Sequence, residues 1–225
     1  MAAASADVPA PGTTALRLGQ MLSAAAFWRD VGTTGRAFAA AWSVSVVSGT
    51  ALGVLLGRSR RVSAAVEPLL ANFHSLPKVV LYPIVLAFFG LGLAPKVAFG
   101  VMHALVPITL LTARAIGQIK SVHWRTARTL RLSVQATVWR IVLPAILPEW
   151  LGAVRVGASL SLLGVLIGEM FAAKRGLGFA AMGAMGLGDT TGIAAIGLFL
   201  AVFAVAINLT LLTVERKTRP GTMSA

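Results

Sequence analysis

Apolar residues run in long uninterrupted blocks along this chain, and polar residues gather in the gaps between them. Ala37–Gly57 holds 21 residues without Asp, Glu, Lys or Arg, enough to cross a bilayer as a helix. Val79–Pro95 and Val97–Ala113 follow, with 17 such residues each, set off by Lys78, Lys96 and Arg114. At that length they cross only with help from neighbouring residues. Trp150–Ala172 is a fourth block, with Arg155 near its start and Glu169 near its end, and Thr190–Val214 is a fifth, 25 residues long and uncharged. The pattern predicts an all-α, polytopic transmembrane bundle of about five spans. Pro83 and Pro107 lie inside two of the blocks, which a bundle tolerates where neighbours satisfy the freed carbonyls. "VEPLLANFHSLPK" reads as an interfacial helix and turn ahead of the second span. "GLGLAP" reads as a tight turn after it, and "KRGLGFAAMGAMGLGDTTG" as a glycine-rich external loop with a short helix.

Charge orients this arrangement. The 225 residues carry 20 Lys and Arg against 7 Asp and Glu, for a formal charge of +13, yet only 12% are charged and 57% are hydrophobic. A charged share near half that of soluble domains leaves no room for a large soluble domain. The basic residues concentrate at 58–61, 114–140 and 216–219 and thin out at 90–96 and 173–190. By the positive-inside rule the first set is cytoplasmic, which puts the C-terminus inside and the N-terminus outside. The excess charge therefore belongs to loops facing anionic lipid, and nucleic acid is not an expected partner. Residues 1–26 read as a disordered or interfacial N-terminal segment, disordered over 1–15. Residues 27–217 form the membrane domain with a cytoplasmic loop at 114–148, and 218–225 a cytoplasmic tail.

Candidate chemistry is sparse. There is no cysteine, so disulfides and thiol chemistry are excluded. The phosphate-binding pattern G-x-x-x-x-G-K-[ST] is absent, so the chain is not expected to hydrolyse ATP itself. His74, His103 and His123 lack the spacing of a zinc site. No cofactor or metal is expected, and no catalytic residue. Two ionisable groups stand inside apolar blocks. His103 suits either an interhelical hydrogen bond or a place in a pore. Glu169 suits either an interfacial anchor or a position beside a translocation path or gate.

The remaining feature is "RTARTLRLSVQATVWRIVLP", Arg125 to Pro144, in a basic stretch with no acid between Glu67 and Glu149. As a helix it aligns Ala127, Leu130, Val134, Val138 and Ile141 in one apolar stripe, with Arg125, Arg128 and Arg131 on another side. Such a helix lies on a lipid or protein surface. Leu143-Pro144 and Leu147-Pro148 are expected to stop it and lead into the next span.

Here the sequence resembles the permeases of binding-protein-dependent ABC importers, specifically those for nitrate, sulfonates, taurine and related small solutes. Their cytoplasmic loop has the pattern E-A-A, three residues, G, nine residues, I-x-L-P. Ile141-Val142-Leu143-Pro144 matches its end, which puts E-A-A at Arg125-Thr126-Ala127 and the glycine at Arg131; of those four only Ala127 matches. "GTALGVLLGRSRR", "EPLLANFHSLPKVVLYPIVLAFFGLG" and "LIGEMFAAKRGLGF" extend the likeness over about Phe27 to Lys217.

The resemblance implies a multi-pass protein of the bacterial inner membrane. Its partners would be ABC ATPase subunits, an extracytoplasmic substrate-binding protein and a second permease, either a copy of itself or a sister chain. Transport would proceed by alternating access driven by the ATPase. Arg125, Thr126, Ala127, Arg128, Leu130 and Arg131 would lie in the coupling helix that docks on the ATPase, with Ile141, Leu143 and Pro144 in the arm back to the membrane and Ser133 capping that arm. The family normally has six spans, one more than found here. The family's glycine suits a bend; Arg131 there predicts either a straighter connection or a bend strained by about 1–2 kcal/mol. Arg125 reverses the charge of the family's glutamate. A secondary transporter and a non-transporting paralogue with a degenerate coupling loop are the rival functions. The first would show inverted repeats, and none is evident.

Overall fold

A computed structural model of the chain describes residues 9–218. The expectations for residues 1–8 and 219–225, at the start of the N-terminal segment and in the tail, lie outside the described residues. Among the described residues all regular structure is helical: α1 Pro11–Ser23, α2 Ala25–Gly57, α3 Arg60–Ser75, α4 Tyr82–Phe89, α5 Leu93–Gly117, α6 Ser121–Thr129, α7 Val134–Thr137, α8 Leu143–Ala172, α9 Leu177–Gly186 and α10 Thr190–Thr218. A short 3₁₀ turn, Lys78–Leu81, precedes α4, and a π-helical turn, Val138–Val142, joins α7 to α8.

Four helical stretches are long and apolar enough to cross a membrane: α2, α5, the continuous run Gln135–Ala172, and α10. A fifth crossing exists only as a broken one, α3 with Lys78–Phe89, bent by 82°. This corrects the reading of Val79–Pro95 as a simple span. The cause is local. Leu76 precedes Pro77 and is held extended at φ −63°, ψ 140°, because the proline ring disfavours helical geometry in the residue before it. Helix α4 then ends at Phe89, and Gly90 and Gly92, both at positive φ, make the predicted turn. Helix α1 starts at Pro11, inside the stretch expected to be disordered up to residue 15. Pro11 suits a helix start, where its missing N–H costs nothing.

The core is a three-helix contact of α2, α5 and α8, built on small residues. Gly49, Gly53 and Gly57, one helical turn apart, face Ile108, Thr112 and Ile116 of α5. A Cβ on Gly53 would stand 2.6 Å from Thr112 Cβ and 2.7 Å from the Thr109 carbonyl oxygen. Further along, Gly100 of α5 meets Ala41 of α2 and Val165 of α8, and Gly164 of α8 meets the Phe99 carbonyl and His103. Lipid is as apolar as leucine, so backbones held this close gain from dispersion rather than from water exclusion. Helix α10 closes the bundle along α8, where Phe38, Ala158 and Leu162 pack with Trp42, Phe203 and Ile207. Arg155 joins the two helices by bonds of 3.2 Å to Glu215 and 3.1 Å to Asn208.

The two ends differ in charge as predicted. Gly57 and Ile116 meet at one end, where Arg114 pairs with Glu67 and the basic residues of 58–61, 114–140 and 216–217 gather. At the other end Arg17 of α1 pairs with Asp189 before α10, 2.9 Å apart. The rule for loop charge makes the first end cytoplasmic and the second external.

Candidate functional site

The cytoplasmic segment is not one helix. Helix α6 exposes every residue except Ala127 and stops at Leu130. The chain then turns at Arg131, the only non-glycine residue at positive φ (46°) among those described. The turn is a Schellman closure: Leu132 N–H donates to the Ala127 carbonyl and Arg131 N–H to the Arg128 carbonyl, both at 3.0 Å. That motif wants glycine at the position Arg131 fills. Of the two expected outcomes, the strained bend is the one found. Because α6 ends here, its last carbonyls lose their helical partners, and the closure returns a hydrogen bond to two of them.

Beyond the bend Ser133 caps the arm, its Oγ accepting from Ala136 N–H at 3.2 Å. The prolines do not end the helix, contrary to expectation. Pro144 sits at the second position of α8, just past the π-helical turn, and Pro148 lies inside α8. The wider i→i+5 turn takes up the missing N–H of Pro144 and the bulk of its ring. Helix therefore runs unbroken from Gln135 to Ala172, 38 residues, about 57 Å at 1.5 Å per residue.

Of the predicted coupling residues, the structure brings Ala127, Arg128 and Arg131 together at the elbow between α6 and the arm. Trp124, Ala127, Arg128, Arg131, Leu132 and Thr137 line a recess of about 570 Å³ within it. Lys120, His123, Arg140, Ile141 and Pro144 line a wider cleft of about 740 Å³ at the foot of α5 and α8. Arg125 and Leu130 line neither recess and are exposed, Thr126 bonds back to the Val122 carbonyl at 3.0 Å, and Leu143 opens α8. The stripe from Ala127 to Ile141 is broken at Arg131, so Ala127 is buried while Leu130 and Val138 are exposed.

Glu169 lies at the external end of the same long helix, fully enclosed. Its carboxylate accepts from Thr34 Oγ1 at 2.7 Å, from Lys96 Nζ at 3.2 Å and from Gly178 N–H at 3.1 Å. Leu177 N–H donates to Thr34 Oγ1 and Gly176 N–H to Asp30. Three unsatisfied N–H groups at the start of α9 thus find oxygens from α2 and α8, and an anion stands where the helix dipole favours one. Lys96 also donates to the Arg175 carbonyl, at 2.9 Å. Among the described residues Glu169 faces no opening.

His103 stands half-buried in mid-α5, its Nδ1 2.9 Å from the Phe99 carbonyl. It does not meet Glu169. Sequence reasoning treated Lys78 and Lys96 as span limits, yet both are buried, 6% and 5% exposed. The available signal was that each follows a proline inside an apolar stretch with no acid nearby in sequence.

Residues 49–220 match the family model described as the binding-protein-dependent transport system inner membrane component. The chain belongs to that family. It is a membrane permease subunit that works with an ATPase, in a multi-pass bacterial membrane setting. The taurine transport system permease of Escherichia coli K12 is 24% identical over 196 residues, 87% of this permease and 71% of that protein. The formylaminopyrimidine transport permease of Halalkalibacterium halodurans is 30% identical over 137 residues, 61% of this chain and 55% of that one. In fold, the permease is similar to a chain of the inward-facing methionine ABC transporter MetNI, with a TM-score of 0.77 and 19% identity, covering 86% of this chain and 96% of that one. The five-segment bundle, with its broken second segment, thus accounts for nearly all of a solved permease chain. The family match does not favour the rival reading as a secondary transporter.

Proposed function

We propose that this permease carries a small solute, a sulfonate, taurine, nitrate or a comparable compound, across the bacterial inner membrane by alternating access. Helix α6 is its docking element for a cytoplasmic ABC ATPase. Arg125, Thr126, Arg128, Leu130 and Arg131 present the contact, and Ala127 anchors the Schellman turn behind it. Ile141, Leu143 and Pro144 lie in the arm that passes the movement on. A substrate-binding protein delivers solute outside, and a second permease, a copy or a sister chain, completes the path.

One observation carries this reading: a docking-sized exposed helix, a fixed elbow at Arg131 and a single helix of 38 residues leading from the cytoplasmic elbow to the Glu169 cluster at the external end. Movement at the foot of a continuous helix displaces its head. Relatives named for taurine, aliphatic sulfonates and bicarbonate support the solute class. Co-purification with an ABC ATPase, followed by ATP hydrolysis stimulated by loaded binding protein in liposomes, tests it. A purified permease that brings down no ATPase sinks it. Uptake measured across nitrate, taurine, sulfonates and pyrimidine precursors then identifies the solute.

A further inference from the structure

At the break between α3 and α4, Lys78 folds back on the end of α3. Its Nζ donates to the His74 carbonyl at 2.8 Å and lies 3.3 Å from His74 Nδ1. Lys78 is 6% exposed. The ion pairs among the described residues join Arg17 to Asp189, Lys96 to Glu169, Arg114 to Glu67 and Arg155 to Glu215; none reaches Lys78. His103 lies on the facing helix α5: its ring packs on Phe99 at 4.8 Å between centroids, and Phe99 packs at 5.0 Å on Tyr82, four residues on from Lys78. This cluster is deep: His103 lies about 15 Å along α5 from its external start at 1.5 Å per residue.

A buried cation without an anion is costly, and in a membrane protein such groups face a path or a partner. The carbonyl end of α3 offsets part of the charge, since a helix C-terminus carries about half a negative charge. No carboxylate among the described residues offsets the rest. Donor roles follow from chemistry. An ammonium only donates, so His74 Nδ1 accepts and its Nε2 holds the proton. The Phe99 carbonyl only accepts, so His103 Nδ1 donates and leaves Nε2 as an acceptor. Two of the three ammonium hydrogens go to His74, and one is left over. The cluster therefore offers a charged donor, a neutral donor and an acceptor, at a helix break of the kind that builds solute sites near the membrane midplane.

We propose that Lys78, His74 and His103 form a binding subsite within the membrane for the oxyanion group of the transported solute. A sulfonate, carboxylate or carbonate oxygen takes the free hydrogen of Lys78 and the Nε2–H of His74. His103 Nε2 accepts from an amino or hydroxyl group on the same solute. The inference rests on the permease reading above and adds the residues within the membrane that meet the anionic group of the cargo.

The test uses the permease–ATPase complex in nanodiscs of phosphatidylcholine, which has no net charge and so offers no anionic headgroup. The probe is 2,2,2-trifluoroethanesulfonate, followed by ¹⁹F line broadening, with neutral trifluoroethanol as its control. The wild type broadens the sulfonate. Lys78→Met weakens that binding about tenfold or more, as the loss of a charged hydrogen bond predicts, and leaves the trifluoroethanol signal unchanged. Lys78→Arg retains sulfonate binding, and His74→Phe reduces it severalfold. Sulfonate binding in Lys78→Met equal to wild type overturns the subsite while the permease reading stands. If Lys78→Met does not fold, unchanged binding in His74→Phe overturns it instead. Absence of ATPase from the wild-type preparation overturns the permease reading itself, independently of the probe.

Discussion

The two ends of the long helix that finishes in α8 are built on opposite principles. At the external end, the Glu169 carboxylate, Lys96 and Thr34 are buried and bonded to one another and to the start of α9. At the cytoplasmic end, α6 exposes Arg125 and Arg128, which have no ion-pair partner among the described residues, and the chain bends through a residue in strained geometry. A cluster that satisfies itself reports on the stability of the chain. A surface that leaves charge and strain unanswered reports on something the chain binds. Changes at the external end should therefore act on folding, and changes at the cytoplasmic end on association.

The sharpest way to break this contrast is Glu169→Ala. It leaves Lys96 buried without its anion and two backbone or hydroxyl donors without an acceptor, at an expected cost of about 3–5 kcal/mol. Thermal unfolding in detergent should show a large fall or no folded protein. Gly176→Ala should act similarly, because φ is +125° there and a Cβ would collide with the Glu169 carboxylate. A mild effect of either would mean that the cluster is dispensable to the fold.

At the other end, Arg125→Glu with Arg128→Glu should leave the melting temperature nearly unchanged, since both residues are exposed. It should weaken ATPase association by about tenfold or more if the docking groove is acidic, as charge complementarity requires. The salt dependence of co-purification measures this directly. Tighter association in the double variant would reverse the assignment of charge to the groove.

Arg131→Gly is the intermediate case. Removing a side chain from the left-handed region should stabilise the elbow by about 1 kcal/mol, seen as a small rise in melting temperature. A loss of stability would show that the Arg131 side chain makes contacts worth more than the strain.

The smallest effect concerns Asp189 at the start of α10. The Gly192 N–H, and then Arg17, hold its carboxyl below the usual value of 3.8. A lowered folded value means that its contribution is present above that pH and fades as the pH falls through the folded value. Local hydrogen exchange at Gly192 should rise only in that acid range, and Asp189→Asn should flatten the response.

Much of this was legible in the chain, and unevenly so. The presence of the apolar blocks, the basic face and the capping role of Ser133 follow from local rules of hydropathy, loop charge and hydrogen bonding, while the ends of the helices do not. At Arg131 the sequence leaves a straight connection and a strained bend both open, because strain is accepted only when a motif such as the Schellman closure returns two hydrogen bonds. The continuous helix through Pro144 and Pro148 was missed, since a proline is read as a stop unless a π-helical turn lies before it. Lys78 and Lys96 were misread as boundary charges for a related reason: a lysine in sequence carries no record of burial.

By itself, the sequence determined that this is a helical membrane protein with a basic cytoplasmic face, because burial in lipid acts on each segment separately. The tertiary structure alone decided what the ionisable groups inside it meet. Glu169 finds Thr34 across 135 residues and Lys96 across 73, and Lys78 folds back onto His74 where the chain breaks at Pro77. A partner for a buried charge is a matter of geometry in the folded bundle, and no local pattern specifies it.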